Sequence, residues 1–207
     1  MEIKLINFEG LISEVSKAAN KMYALRYEMS NGGNLSARIP KTNYMIVKGT
    51  DVSFEEVGES TLVISDFEGN IIDGSVKPSK ESLLHGALYE ALPDIGAIMH
   101  CHSPYATAWA DSNDELHFST HHAQMKLGYC PVLDTKSYVV PAEYFSMIID
   151  QFRTHKEMKS FILRGHGQLT VAKTMREATY LAELVEETAQ ISILSHLIRI
   201  DKNPEFP

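Results

Sequence analysis

Between Leu5 and Tyr27 apolar side chains recur at Phe8, Leu11, Ile12, Val15, Ala19 and Met22, with Lys17 and Lys21 elsewhere on the surface. That spacing predicts an amphipathic helix. A glycine-rich turn, Asn31-Gly32-Gly33-Asn34, follows it. Short β-rich runs at Tyr44 to Val47, Thr61 to Ser65 and Asn70 to Ile72, with a Phe67-Glu68-Gly69-Asn70 turn between the last two, predict an antiparallel meander. Lys77-Pro78-Ser79 leads into a helix with apolar positions Leu83, Leu84, Ala87, Leu88 and Ala91, stopped by Pro93. The run Ile95-Gly96-Ala97-Ile98-Met99 is apolar throughout and reads as a buried strand. Ser103-Pro104 then opens a helix, with serine placed to cap and proline at the first helical position. Gly128 to Leu133 and Ser160 to Leu163 read as strands, and Pro141 to Phe152 as a helix. The last helix starts at Thr174-Met175-Arg176-Glu177, a capping-box pattern, and runs to Ile200. There is no internal repeat, low-complexity tract or linker. The expected architecture is one α/β domain over residues 1–207, a mixed central sheet between helical layers.

Composition narrows the function classes. The chain has 207 residues, 44% hydrophobic and 22% charged, the profile of a globular domain with a sizeable core. A net charge of −8 argues against a nucleic-acid partner. Two cysteines, Cys101 and Cys130, make no disulfide framework, so the cytoplasm is the expected compartment. Met1-Glu2-Ile3-Lys4-Leu5 lacks the pattern of a signal peptide, and no apolar run approaches membrane-spanning length.

The chemistry concentrates in histidines. His100 and His102 end the apolar strand, and His166 lies 64 positions after His102, between Gly165 and Gly167. In a strand, residues i and i+2 share a face, so His100 and His102 project together and Cys101 points away. Buried imidazoles need partners, and flanking glycines let backbone approach a site closely. Three neutral imidazoles with one open position is a common catalytic zinc design. Glu81, in the first turn of its helix, has two compatible readings. It satisfies the helix dipole, or it is a base near a metal-activated proton. Asn34, Ser36, Thr50 and Ser79 are placed on turns or helix starts, where they serve ordinary turn chemistry or cradle a phosphate through N–H and hydroxyl groups; Lys80 could hold an anion. His85 reads as a core hydrogen-bonding residue, His196 as a packing or surface residue, and His121-His122 as part of a polar loop.

Four segments, in order, resemble the class II aldolase/adducin-like family: Gly33-Asn34-Leu35-Ser36-Ala37-Arg38, Lys77-Pro78-Ser79-Lys80-Glu81 with Leu84-His85, Met99-His100-Cys101-His102-Ser103, and Arg164-Gly165-His166-Gly167. The resemblance covers Leu11 to Ile200. It implies that His100, His102 and His166 ligate zinc or another divalent ion such as Mn2+, that Glu81 is the acid/base residue, and that Asn34, Thr50 and Ser79 bind substrate phosphate. It also implies a homotetramer acting on a small sugar phosphate, without nucleic-acid or membrane partners. The activity implied is an aldolase. It would cleave a ketose 1-phosphate, such as L-fuculose 1-phosphate, to dihydroxyacetone phosphate and an aldehyde through a metal-stabilised enediolate. Decarboxylation of a phosphorylated keto acid and 4-epimerisation of a pentulose phosphate are the alternatives. A non-catalytic adducin-like domain is set aside, because all three histidines and the glutamate are retained.

The departures bear on substrate. The usual Thr/Ser-Gly of the phosphate loop is Thr50-Asp51, and the usual Pro-Ser-Ser-Glu is Pro-Ser-Lys-Glu, as in some decarboxylase-like relatives. Lys80 could offset Asp51 or read a carboxylate. Where the epimerases carry an aspartate after Thr-His-Ala, this chain has His121-His122-Ala123-Gln124, and glutamine cannot transfer that proton. The aldolases' tyrosine has no aligned equivalent; Tyr129, Tyr138 and Tyr144 lie nearby. The tail Pro204-Glu205-Phe206-Pro207 holds no tyrosine.

Overall fold

A computed structural model describes residues 3–201; Met1-Glu2 and the tail from Lys202 onward, including Pro204 to Pro207, lie outside the described residues. The amphipathic N-terminal segment forms a 3-10 turn, Leu5–Phe8, and then helix α1 (Glu9–Ala24), which buries Ile12, Val15, Ala19 and Met22. The meander forms as expected: β2 (Tyr44–Lys48), β3 (Leu62–Asp66) and β4 (Ile71–Asp73) pair antiparallel. Two strands were not legible as such. β1 (Asn34–Arg38) follows the glycine turn directly, and β8 (Gly167–Ala172) follows the His166 turn. Both alternate polar and apolar residues, but each is short and runs straight on from a glycine turn, and the alternation does not mark a wet face, since Asn34, Ser36, Gln168 and Thr170 are buried as well.

With β5 (Ala97–Cys101), β6 (Val132–Leu133) and β7 (Ser160–Leu163), the described residues form one mixed sheet in the order β4-β3-β2-β1-β5-β8-β7-β6. All neighbours are antiparallel except β6 and β7. The expected Gly128 to Leu133 strand shortens to Val132 and Leu133, because Gly128 closes helix α4 (His121–Leu127) in a left-handed conformation, φ +68°.

Helices cover both faces. On one, α1 and the start of α6 (Met175–Asp201) pack on Leu35, Ala37, Ala97, Met99 and Cys101. On the other, α2 (Ser82–Ala91) and α5 (Phe145–Thr154) pack Leu84, Leu88, Tyr89, Ile148 and Phe152 against Met45, Val47, Ile98 and Leu169. Helix α3 (Pro104–Ser112) and α4 join α6 in a third cluster around Ile162. Residue alternation along β5 therefore sends Met99 and Cys101 to the α1 face and Ile98 to the α2 face. No helix among the described residues is long and apolar enough to cross a membrane.

Two local expectations change. Ser103 sits at the N-cap of α3 but its side chain does not cap the helix. Gln168 Nε2 donates to its hydroxyl at 2.7 Å, and the amides of Tyr105 and Ala106 in the first turn donate instead to the buried carboxylate of Glu186, at 2.9 and 2.8 Å. A full negative charge at a helix N-terminus is the stronger partner. His121 and His122 are not in a loop; they open α4, whose Thr120 hydroxyl accepts the Ala123 amide. Both stay exposed.

Candidate metal centre

The three histidines arrive by separate routes. His100 is in β5, paired with Asn34 of β1 on one side and Leu169 of β8 on the other. His102 lies just past the strand. His166 occupies the β7–β8 turn, its amide donating to Leu163 O at 3.1 Å. Because β8 pairs with β5, that turn is delivered beside the end of β5. A Cβ on Gly167 would collide with the Cys101 carbonyl and sit 3.0 Å from His102 Cα, so only glycine permits the approach. Arg164 anchors the turn from outside, donating to carbonyls of Ala110, Asp111 and Asn113 and to Asp114 Oδ1 at 2.8 Å.

His100 Nε2 lies 3.1 Å from His102 Nε2 and 3.2 Å from His166 Nε2. His100 Nδ1 is 2.8 Å from the Gln168 carbonyl, which can only accept, so the proton resides on Nδ1 and the Nε2 lone pair faces its neighbours. Burial, and then the adjoining imidazoles, push His100 and His166 down to about 3, and burial lowers His102 as well. The single lone pair of His100 Nε2 can accept a proton from one of its two neighbours at most, so the cluster is left with at least one unfavourable nitrogen–nitrogen contact unless a cation lies between the rings. A tetrahedral ion with Zn–N bonds near 2.05 Å separates its ligand nitrogens by about 3.3 Å. The spacing of this cluster fits such an ion.

Glu81 stands at the N-cap of α2 rather than inside its first turn, with φ −88° and ψ 2°. Its Oε2 lies 3.3 Å from His100 Nε2 and accepts Asn34 Nδ2 at 2.7 Å. Its Oε1 is buried without a hydrogen-bond partner among the described residues. A buried carboxylate oxygen left unpaired is costly, and its position beside three imidazoles again suits a cation or a proton in transit.

One cleft holds Asn34, Thr50, Ser79 and Lys80 together with Glu81, His102 and His166. A bridge between Gly49 and Pro78 sets Thr50 and Ser79 side by side. Their amides are already used, Thr50 N donating to Lys77 O and Ser79 N to Lys48 O, so what remains for a ligand is the Thr50 hydroxyl and the O–H of Ser79, whose oxygen accepts the Glu81 amide at 3.4 Å. Asn34 is on a strand and its amide nitrogen is engaged by Glu81. Ser36, two residues further along β1, shares the face of Asn34 but lies under the body of α2, where it bonds His85 Nδ1 and Tyr89 OH at 2.8 and 2.9 Å, so it is not part of the cleft. His85 is the core residue expected, and His196 is exposed on α6. Asp51 lines the cleft in a left-handed conformation, φ +58°, its side chain exposed.

Three neighbours, Lys48, Gln168 and Glu28, carried no readable signal, and of the three candidate tyrosines Tyr138 is the one that lines the cleft. Lys48 lines it too, and the Tyr138 ring lies 5.7 Å from that of His166. Tyr129 instead stacks on His155, and Tyr144 packs at the margin of the core. Gln168 supplies the carbonyl behind His100. Glu28 is buried against His102, and burial raises its carboxyl to about 7, while burial lowers Lys48 to about 8. A lone acid, lysine or glutamine between apolar residues is indistinguishable by sequence from a surface position.

The chain is 30% identical over 191 residues to an L-fuculose phosphate aldolase of Methanococcus maripaludis, across 91% of this chain and 99% of that protein. It is 27% identical over 180 residues to the L-ribulose-5-phosphate 4-epimerase UlaF of Salmonella paratyphi C, across 83% of this chain and 79% of that protein. Its fold matches the crystal structure of an L-fuculose-1-phosphate aldolase from Thermus thermophilus with a TM-score of 0.81 at 24% identity, covering 95% and 97% of the two chains. Residues 13–193 match the family model for the Class II Aldolase and Adducin N-terminal domain, and the chain belongs to that family.

Proposed function

We propose that this protein is a divalent-metal-dependent lyase that cleaves a ketose 1-phosphate to dihydroxyacetone phosphate and an aldehyde. The observation that carries the reading is the meeting of three imidazole Nε2 atoms, 3.1 and 3.2 Å apart, with the Glu81 carboxylate 3.3 Å from His100 Nε2. His100, His102 and His166 would hold the ion, with zinc the first choice for an all-imidazole donor set and Mn2+ the second. Such an ion supplies Lewis-acid polarisation of a carbonyl and stabilises the negative charge that C–C cleavage leaves. Glu81 moves the proton at the carbon that bore the broken bond. Asn34 holds Glu81 in place by donating to Oε2, which leaves Oε1 the freer oxygen. The Thr50 and Ser79 hydroxyls, Asn34 and the Lys80 ammonium bind the phosphate end. The residues 1–207 act as one domain, in a cytoplasmic homotetramer.

The similarity to proteins named L-fuculose phosphate aldolase makes L-fuculose 1-phosphate the first substrate to try. Release of dihydroxyacetone phosphate is measured with zinc-loaded protein, with Glu81→Gln as control. Glu81-dependent release supports the reading; none from metal-loaded protein sinks it for this sugar. A second reading, decarboxylation of a phosphorylated keto acid, is favoured by Lys80, whose ammonium lines the same cleft and suits a carboxylate. Carbon dioxide release, lost in Lys80→Met, would support it. Gln124 is exposed on α4 and has no carboxylate to offer, which disfavours epimerisation.

A further inference from the structure

We infer that Glu28 is the positioning residue for His102, and that Gly32 is a glycine in order to admit it, whereas Gly33 is also held at φ +56°, which favours glycine by itself. The inference rests on the reading of His100, His102 and His166 as metal ligands. Glu28 follows α1 in the connection to β1, where nothing local calls for an acid, yet it is only 1% exposed. Burying a carboxylate is costly unless it is paired and hydrogen-bonded. Its partners are specific. Oε2 accepts the backbone N–H of His102 at 2.8 Å, and Oε1 lies 3.5 Å from His102 Nδ1. One oxygen holds the main chain of His102 by a hydrogen bond, and the other lies beside its ring at ion-pair distance.

The glycine turn is wrapped over that contact. A Cβ on Gly32 would lie 2.6 Å from His102 Nδ1 and 2.7 Å from Glu28 Oε1. One on Gly33 would run into Glu28 Oε2, lie 2.8 Å from Glu28 Cδ and lie 2.8 Å from the His100 carbonyl. Any side chain at either position would press on the pair. Lys48, also buried, closes the arrangement from the far side. Its ammonium donates to Asn31 O at 3.3 Å, Gly32 O at 3.4 Å and Val52 O, pinning the turn and offsetting the carboxylate's charge.

A carboxylate beside Nδ1 keeps the proton there, turns the Nε2 lone pair toward the other two rings and makes the imidazole a stronger donor. The three histidines are thereby unequal. His100 is backed by a neutral carbonyl, His102 by a carboxylate, and His166 Nδ1 has no hydrogen-bond partner among the described residues. Removing Glu28 should weaken ion binding although no ligand is lost.

The test measures zinc dissociation constants by competition with a chromophoric chelator, for wild type, Glu28→Gln and Glu28→Ala. The absorption spectrum of the cobalt(II)-loaded proteins and their thermal unfolding are recorded alongside. Glu28→Ala is expected to bind zinc roughly 10- to 100-fold more weakly, with a changed cobalt spectrum. Glu28→Gln keeps an oxygen for the His102 amide but not the charge, and is expected to fall between. Folded variants with wild-type zinc affinity and an unchanged cobalt spectrum would overturn the inference, even if their melting temperature fell. If Glu28→Ala does not fold, Glu28→Gln decides. Wild-type protein that takes up neither ion overturns the metal reading itself, whereas equal binding by wild type and variant overturns only the role of Glu28.

Discussion

His85 and His100 are both enclosed in the sheet–helix interior, and burial pushes both down to about 3. They differ in what their nitrogens meet. His85 Nδ1 meets the Ser36 hydroxyl, which in turn meets Tyr89, so its partners are groups that can donate or accept as required. His100 Nε2 meets two more imidazoles at 3.1 and 3.2 Å, with its own proton committed to a carbonyl on the other side. Burial alone therefore does not separate a packing histidine from a ligand. The distinction is what the paired nitrogen meets: at His85 a hydroxyl that can donate or accept, with Nε2 left buried and without a hydrogen-bond partner among the described residues, and at His100 two further imidazoles.

That contrast can be broken in several ways. The largest effect is expected at Glu81. Glu81→Gln should keep the ion and lose roughly a hundredfold to ten-thousandfold in kcat, the range typical of a lost acid–base group. Turnover within a few-fold of wild type would remove Glu81 from the proton path. Next, His166→Ala should leave zinc substoichiometric by elemental content, while His85→Leu should leave it full; equal loss in both would erase the distinction between the two histidines. Third, Gly167→Ala should cost about 1–3 kcal/mol of stability and lower zinc affinity together, because the added methyl drives the turn away from β5. Chemical denaturation with parallel zinc titration checks it, and a change in neither would show that the close approach is not required.

The remaining effects are smaller. Folding depresses His85 from 6.5 to about 3, so between these pH values the unfolded chain binds a proton that the folded chain does not. Stability must then fall as pH drops through that window, at up to about 1.4 kcal/mol per pH unit from this one group. Metal-free His85→Leu should show a slope shallower by that amount, measured by denaturant unfolding at pH 6 and 5; identical slopes would mean His85 is not held neutral. Last, Glu186→Ala leaves the first amides of α3 unpaired and should cost about 1–2 kcal/mol, with zinc content unchanged.

The sequence by itself was enough for the α/β class, the meander, the amphipathic α1 and the family, and it singled out His100, His102, His166 and Glu81. These are legible because periodicity and short motifs act over a few neighbouring residues. Alternation along β5 already placed Cys101 away from His100. The tertiary structure decided what depends on residues far apart in the chain. It turned Asn34 and Ser36 from turn residues into a strand, used the Thr50 and Ser79 amides in the backbone bridge, and replaced Ser103 as a cap with Glu186 from α6. It set Glu28 against a histidine 74 positions later and Lys48 beneath the glycine turn. Side chains of that kind obey no local pattern, since a buried charge is settled by the partner that the fold brings to it and not by its neighbours along the chain.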